Sequence, residues 1–240
     1  LYHTPDISAD VTIDSLLFET GYLGTADIRV GWDKELNGIR IYGHIVDEGD
    51  KDNHNVWKKT RITDVVGYVA PGEIRDDIQL RIEAQNTSAS FINGFLGGVF
   101  KDINGDVNGV LRVSTLGENG VNLLGKMSVD TDLRLRATNT LYHVDKNDSI
   151  EFKLGAFEFN NVRIHDTRGK TGYVQGKVTH HKLRNFAYDF NIDFEDLLLY
   201  DEKEFNSDKF LATVYADGRL TLSGADGHDL HMNADVTPTE

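Results

Sequence analysis

Apolar and polar residues alternate along most of the chain. Ile39, Ile41 and Ile45 lie two or four positions apart, with polar or small residues between them. A period of two is typical of a β-strand that has one covered face and one solvated face. The same spacing recurs over 78–84, 103–113, 121–127, 133–135, 150–154, 157–164, 173–178, 186–194 and 214–222. The pattern predicts an all-β chain of about a dozen strands.

Turn residues separate these runs at the spacing that an antiparallel sheet needs. Glycine, asparagine and aspartate favour the tight turns of β-hairpins, so hairpins are the predicted connections. The turn signals are Asn37-Gly38, Gly117 to Gly120, Lys146-Asn147-Asp148, Arg168-Gly169-Lys170 and Asp226-Gly227. No stretch rich in proline or serine marks a linker. We therefore expect residues 1–240 to form one continuous unit, with 86–101 as the candidate point of subdivision.

One segment departs from the period of two. Over 88–100, Phe91 and Phe95 lie four residues apart, as on one face of a helix. Ser88 or Ser90 is the candidate N-cap. A short amphipathic helix is therefore predicted here, either plugging one end of the sheet or lying on a membrane surface. The first interpretation is favoured, because interfacial helices usually carry a cationic face and this segment has little positive charge beside it.

Composition excludes several classes of function. The net charge of −14 argues against nucleic acid as a partner, because phosphate binding needs clustered lysine and arginine. The absence of cysteine excludes disulfides and thiolate chemistry. No apolar run approaches the ~18 residues of a membrane span. The sequence starts at Leu1 with no signal-like region, so we interpret it as an internal fragment of a longer chain that does not itself span a membrane.

The segment from Asp102 to Asn108 places oxygen-bearing side chains at every second position, as a calcium loop does. An EF-hand loop, however, needs glycine at its sixth position and a carboxylate at its twelfth, where this chain has Val107 and Val113. A strand with one face rich in aspartate and asparagine explains the same residues. We predict no calcium site here.

Other chemical motifs are also weak. His180-His181, like His228 and His231, lacks the spacing of a zinc site, and solvated surface histidines are the simpler interpretation. Asp166-Thr167-Arg168-Gly169 departs from the Asp-Thr-Gly of aspartic proteases by one inserted arginine, which indicates a hairpin instead. No nucleophile elbow or phosphate-binding loop is present. We therefore predict no catalytic residue, no metal ligand, no cofactor and no enzymatic activity.

Several motifs in order along the chain resemble the TamB family, in the form found in Bacteroidota-type bacteria. They are a short apolar segment followed by a glycine-punctuated strand from Phe91 to Val113, the strand from Val121 to Val129, the Asp166–Gly172 motif and the Asp201–Phe210 motif. Together they cover most of the chain. The family offers no catalytic residues to transfer.

This resemblance implies a fragment of a large periplasmic protein that is anchored in the inner membrane and reaches a BamA-like β-barrel partner in the outer membrane. Members of this group form a long antiparallel sheet curled into a trough, whose apolar interior is thought to hold lipid acyl chains. The implied function is phospholipid transport to the outer membrane, assembly of outer-membrane proteins, or both.

Strands with one apolar face must bury that face by folding over, by pairing two sheets or by binding an apolar ligand. The trough hypothesis assigns the apolar positions of the predicted strands to the lining of a lipid groove. These positions are Ile78, Leu80, Ile82, Val107, Leu111, Val113, Val121, Leu123, Leu133, Leu135, Phe152, Leu154, Phe186, Tyr188, Phe190, Ile192, Val214, Leu220 and Leu222.

Two other classes of protein remain open at this point. A closed β-sandwich, acting as an adhesin or a carbohydrate-binding module, would show the same alternation. In that case Trp32, Trp57 and Tyr68 are candidates for an aromatic sugar platform. A hydrolase on a β scaffold is the third class, although the chain offers no recognisable triad or metal set.

Overall fold

The fold is one antiparallel β-sheet, seen in a computed structural model. The structure describes residues 7–18, 21–49, 59–72, 77–93, 97, 99–115, 120–203, 211–225 and 231–239. Within these residues, fourteen strands pair into a single sheet. The predicted all-β, antiparallel fold class is confirmed.

The strands follow one another with few interruptions. They are β1 (Ser8–Phe18), β2 (Gly21–Asp33), β3 (Gly38–Asp47), β4 (Arg61–Ala70), β5 (Asp77–Ser88), β6 (Phe100–Ser114), β7 (Asn122–Leu135), β8 (Leu141–Val144), β9 (Ser149–Lys153), β10 (Ala156–His165), β11 (Thr171–His181), β12 (Arg184–Glu202), β13 (Ala212–Ala225) and β14 (His231–Pro238). The pattern of alternation did not indicate β1, β2, β4, β8 or β14.

Strand order in the sheet is the order of the strands in the chain, with one variation. Both β8 and β9 pair with β7 on one side and with β10 on the other. They therefore share one column of the sheet, as two halves of a strand interrupted over 145–148. The predicted turns at Asn37-Gly38, Lys146–Asp148 and Arg168–Lys170 lie in connections between strands, whereas 117–119 and Asp226-Gly227 lie outside the described residues.

The predicted helix is present as a short 3-10 helix, Ala89–Ile92. The Ser88 hydroxyl caps it by accepting a hydrogen bond from the backbone N–H of Ser90, as predicted. Phe95 and Leu96 lie outside the described residues. Ala89 is fully buried, and the Phe91 ring stands edge-on to Phe18 with 6.1 Å between centroids. The helix packs against the core, as the plug interpretation predicted. We call the strand ends nearest this helix the helix end of the sheet, and the opposite strand ends the far end.

One row of directly paired residues crosses twelve strands and contains only apolar side chains, tyrosine and glycine. Successive members are Cα partners on neighbouring strands, so their side chains share one face of the sheet. This apolar row consists of Val11, Ile28, Gly43, Val65, Ile82, Leu111, Gly125, Phe152, Phe157, Val178, Tyr188 and Gly224. It omits β8, whose column is represented by β9. The row defines the apolar face.

Burial of this face changes from one edge of the sheet to the other. Val11 on β1 is 46% exposed, Ile28 and Val65 are half-buried, and Leu111 and Val178 are 8% and 0% exposed. Among the described elements, only the sheet itself and the 3-10 helix can cover the deeply buried side chains. The sheet therefore curls over its own apolar face around β6 to β13 and leaves that face more open on β2 to β5.

Strand β12 closes the helix end of the curl. Its nineteen residues extend past the β10–β11 turn, and the bulged Leu197 and Leu198 are 0% and 2% exposed. The Leu198 carbonyl accepts a hydrogen bond of 2.6 Å from the Tyr142 hydroxyl of β8. Burial raises the pKa of Tyr142 to about 12. The hydroxyl therefore stays protonated and able to donate this bond across the physiological range.

Candidate functional site

The residues predicted to line a groove lie on the apolar face in nearly every case. Val121 and Leu154 are the exceptions. Val121 immediately precedes β7, and Leu154 lies in the β9–β10 turn, 59% exposed. Alternation from Ile82 and Leu111, which belong to the apolar row, places the other predicted residues of β5 and β6 on the same face. Pairing across the sheet extends this assignment to the remaining strands.

Many of these predicted residues form a packed core. None of the following is more than a tenth exposed: Val107, Leu111, Leu135, Phe186, Phe190, Ile192, Leu220 and Leu222. Leu133, Phe152 and Tyr188 pack against them and are half-buried. Side chains that are this well covered contribute to the stability of the sheet. They offer little free surface to a ligand in this conformation.

A second group of apolar-face residues remains partly accessible. We call it the open face: Ile28, Val30, Ile39, Ile41, Val65, Val69, Ile78 and Leu80. Ile39 is 42% exposed, and the others are half-buried. Ile78 and Leu80 were predicted to line a groove, whereas the residues on β2, β3 and β4 were not. The alternation of β3 contained the signal, because Ile39 and Ile41 lie two residues apart.

A histidine lies on the apolar face at the far end. His180 follows Val178 by two residues on β11 and is 7% exposed, so the prediction of a solvated surface histidine is wrong for it. His181 points to the other face and is exposed, as predicted. The His180 ring lies 5.0 Å from the Phe157 ring and 5.9 Å from the Phe186 ring, centroid to centroid.

The two ring nitrogens of His180 have different surroundings. Nδ1 accepts a hydrogen bond of 3.2 Å from the backbone N–H of Leu183 in the β11–β12 turn. Nε2 is buried and has no hydrogen-bond partner among the residues that the structure describes. Burial lowers the pKa of His180, and the neighbouring charge of His181 lowers it further. The ring is therefore neutral at pH 7.

We expect this histidine to make the fold less stable in mild acid. Its lowered pKa means that the unfolded chain binds more protons than the folded chain below pH about 6.5, so the free energy of unfolding falls as the pH drops through that window. Replacing His180 with Phe removes this contribution. In urea unfolding at pH 7.5 and 5.5, the wild-type chain should lose more stability than H180F. Equal losses would contradict the assignment, and H181F should retain most of the wild-type loss.

The acidic residues that resembled chemical motifs have structural partners. Asp106 accepts hydrogen bonds from Lys59 at 2.6 Å and from Arg61 at 3.0 Å. Asp166 lies in the β10–β11 turn and accepts from the backbone N–H groups of Arg168 and Lys170. The hairpin interpretation of this motif is confirmed. No group of three or more histidine, aspartate or glutamate side chains is placed to hold a metal ion within the described ranges.

The proposed sugar platform is not assembled. Trp32 pairs with Ile39 on the apolar face, and its indole N–H is buried. Tyr68 pairs with Arg40 on the opposite face and donates a hydrogen bond to Asp77. Trp57 lies outside the described residues. Two aromatic rings on opposite faces of a sheet cannot form one stacking surface.

Two shallow depressions lie on the polar face of the sheet. The first, of ≈ 470 Å³, is bordered by Arg112 and Lys126. The second, of ≈ 590 Å³, is bordered by Asp27 and Glu48. Neither collects a set of convergent groups that would hold a substrate. No helix in the described part of the chain is long and apolar enough to span a membrane.

No family model, curated protein or solved structure matches the chain. The candidate site is therefore defined by its own geometry, which is an apolar face that is open on β2 to β5 and closed around a core on β6 to β13. Such a surface offers contact to apolar ligands and few polar groups that could position a reacting atom.

Proposed function

We propose that this chain is a periplasmic segment that shields lipid acyl chains along its apolar face, in the service of phospholipid transport to the outer membrane or of outer-membrane protein assembly. The observation that carries the proposal is the apolar row, which continues across twelve strands without a charged residue. Large apolar surfaces that remain accessible mark interaction sites.

The energy scale suits transport. Burial of one methylene group contributes about 0.8 kcal/mol, so an acyl chain of about fourteen methylenes gains at most about 11 kcal/mol before ordering costs. Strands spaced about 4.8 Å apart give this sheet a width of about 60 Å. A surface of uniform apolar character lets a chain slide between positions of similar energy, whereas catalysis needs fixed polar groups.

In this proposal the sheet is part of a trough in a longer protein, which is anchored in the inner membrane and reaches a BamA-like outer-membrane partner. Among the residues that the structure describes, no strand pairs with the outer edge of β1 or of β14, and such edges can pair with further strands. The motifs that resemble the TamB family support this placement.

Neighbouring valines on opposite faces of β4 provide the test. Val65 belongs to the open face, whereas Val66 is 44% exposed on the polar face. We expect a benzoylphenylalanine crosslinker at position 65 to capture phospholipid in the periplasm of a Gram-negative host, and the same crosslinker at position 66 to capture little. Mass spectrometry of the purified adducts gives the measurement.

A difference of about tenfold in lipid adducts is expected, because only one of the two side chains contacts the acyl chain. Equal capture at both positions, or no lipid at position 65 in a correctly folded chain, would overturn the proposal. Circular dichroism of both variants checks the fold.

A further inference from the structure

One long stretch of this acidic chain contains basic residues and no acidic residue. From Thr167 to Tyr188 there is no aspartate or glutamate, although the whole chain contains 39 of them. This is the longest stretch of the sequence without an acidic residue, and it includes the β11–β12 hairpin with Lys182 and Arg184. Two positive charges, Lys182 and Arg184, therefore lie at the far end of the sheet, within a chain whose net charge is −14.

The same hairpin holds Nε2 of His180, for which the described part of the chain provides no hydrogen-bond partner. Neutral imidazole carries one N–H, and Nδ1 is occupied as an acceptor by the Leu183 N–H, so the proton lies on Nε2. This donor is directed away from its own turn, and the Phe157 and Phe186 rings lie beside it. Buried donors in proteins are almost always satisfied. An oxygen acceptor supplied by a ligand would satisfy this one.

The aromatic rings next to His180 lie on the apolar face. Phe157 is itself partly exposed, and its ring stands 4.9 Å from that of Phe152. Phe152, Phe157 and Val178 all belong to the apolar row. A ligand that reaches His180 with its polar head would therefore lay its tail on the apolar face.

We propose that His180 and the basic β11–β12 hairpin bind the anionic head group of an amphiphile whose acyl tail lies on the apolar face. This inference rests on the proposed function and makes it narrower, since it selects acidic amphiphiles over neutral ones. The recognised chemistry is an anionic oxygen, either of a carboxylate or of a phosphate. Nε2–H donates to that oxygen, and Lys182 and Arg184 supply the favourable potential.

The test compares head groups on a tail of constant length. Dodecanoate, dodecyl phosphate and dodecanol are titrated calorimetrically below their aggregation concentrations into the wild-type chain and into H180F and H181F. We expect the wild-type chain to bind at least one anionic compound about tenfold more tightly than dodecanol, as a charge-assisted hydrogen bond allows. H180F should lose that preference and keep its affinity for dodecanol, whereas H181F should behave as the wild type.

The variant H180Q provides a second route, because its amide retains an N–H donor and should recover part of the preference. The anionic compound whose affinity falls more in H180F identifies carboxylate or phosphate as the head group. If dodecanol binds the wild type but the anionic compounds bind no better, or if H180F retains the preference, the head-group site is overturned and the apolar function stands. If none of the three binds, both proposals fail.

Discussion

Replacing Phe190 with Arg is expected to unfold the chain. Phe190 is 7% exposed, its ring stands edge-on to Phe159 at 5.1 Å between centroids, and it covers Gly176 of the neighbouring strand. A Cβ at position 176 would lie 2.6 Å from the Phe190 ring, so the two positions are closely matched. A guanidinium at this place would be buried without a partner, at a cost of more than about 4 kcal/mol. That is a large share of the 5 to 15 kcal/mol that stabilises a typical domain.

Asn191 is the matched control, because it is the next residue of β12 and is exposed on the polar face. N191R should change the free energy of unfolding by no more than about 0.5 kcal/mol in urea denaturation. A folded F190R variant with the wild-type midpoint would mean that the apolar face is open at β12 as well as at β2 to β5. The groove would then extend much further than the structure indicates.

Replacing Asp166 with Ala is expected to cost about 3 to 5 kcal/mol of stability. One carboxylate oxygen accepts from the N–H groups of Arg168 and Lys170, and the other accepts from the buried N–H of Leu198 at 3.0 Å. Alanine removes all three acceptor contacts at once. The buried Leu198 donor left unpaired costs about 1 to 3 kcal/mol, and each of the two turn hydrogen bonds contributes about 1 kcal/mol. The loss should appear as a lower urea midpoint with an unchanged slope.

Two further variants separate the turn from the long-range bond. D166N keeps one carbonyl oxygen for the turn but places an amide group opposite the Leu198 N–H, so we expect a loss smaller than that of D166A. T167A changes an exposed neighbour in the same turn and should be close to neutral. If D166A proved as stable as T167A, Asp166 would have no role in fixing β12 against the β10–β11 turn.

The sequence was informative where one face of a strand is covered and the other is wet. Strands β3 and β6 meet that condition. The alternation is absent from β4, where Val65 and Val66 place valine on both faces. Strand β8, with four residues, is too short for a pattern to be recognised. The helix was predicted over thirteen residues, yet its assigned part is one 3-10 turn, since Phe100 already pairs with Leu135 as part of the sheet.

The sequence predicted on which face of the sheet a residue lies, whereas it did not predict the exposed fraction of the side chain. Ile82 and Leu111 are direct partners in the apolar row, yet the first is half-buried and the second is 8% exposed. That difference depends on how far the sheet curls, which no local pattern encodes. For His180 the signal was present, because a residue two positions after Val178 lies on the same face. The burial of this histidine among aromatic rings could not be predicted, because it depends on where the phenylalanines of β9, β10 and β12 lie in three dimensions.

The order of the strands determines how the chain can lose its structure. Since nearly every strand pairs with its neighbours in the chain, each hairpin depends mainly on the hairpins beside it, as in repeat proteins. Contacts between residues that are close in sequence form quickly, and each hairpin can open separately from the others. Opening can therefore begin at β1 or β14, where exposure is greatest, and proceed inward one strand at a time. The covered strands from β6 to β12 are then the last part to open, and they hold the register of the sheet while the margins exchange between paired and unpaired states.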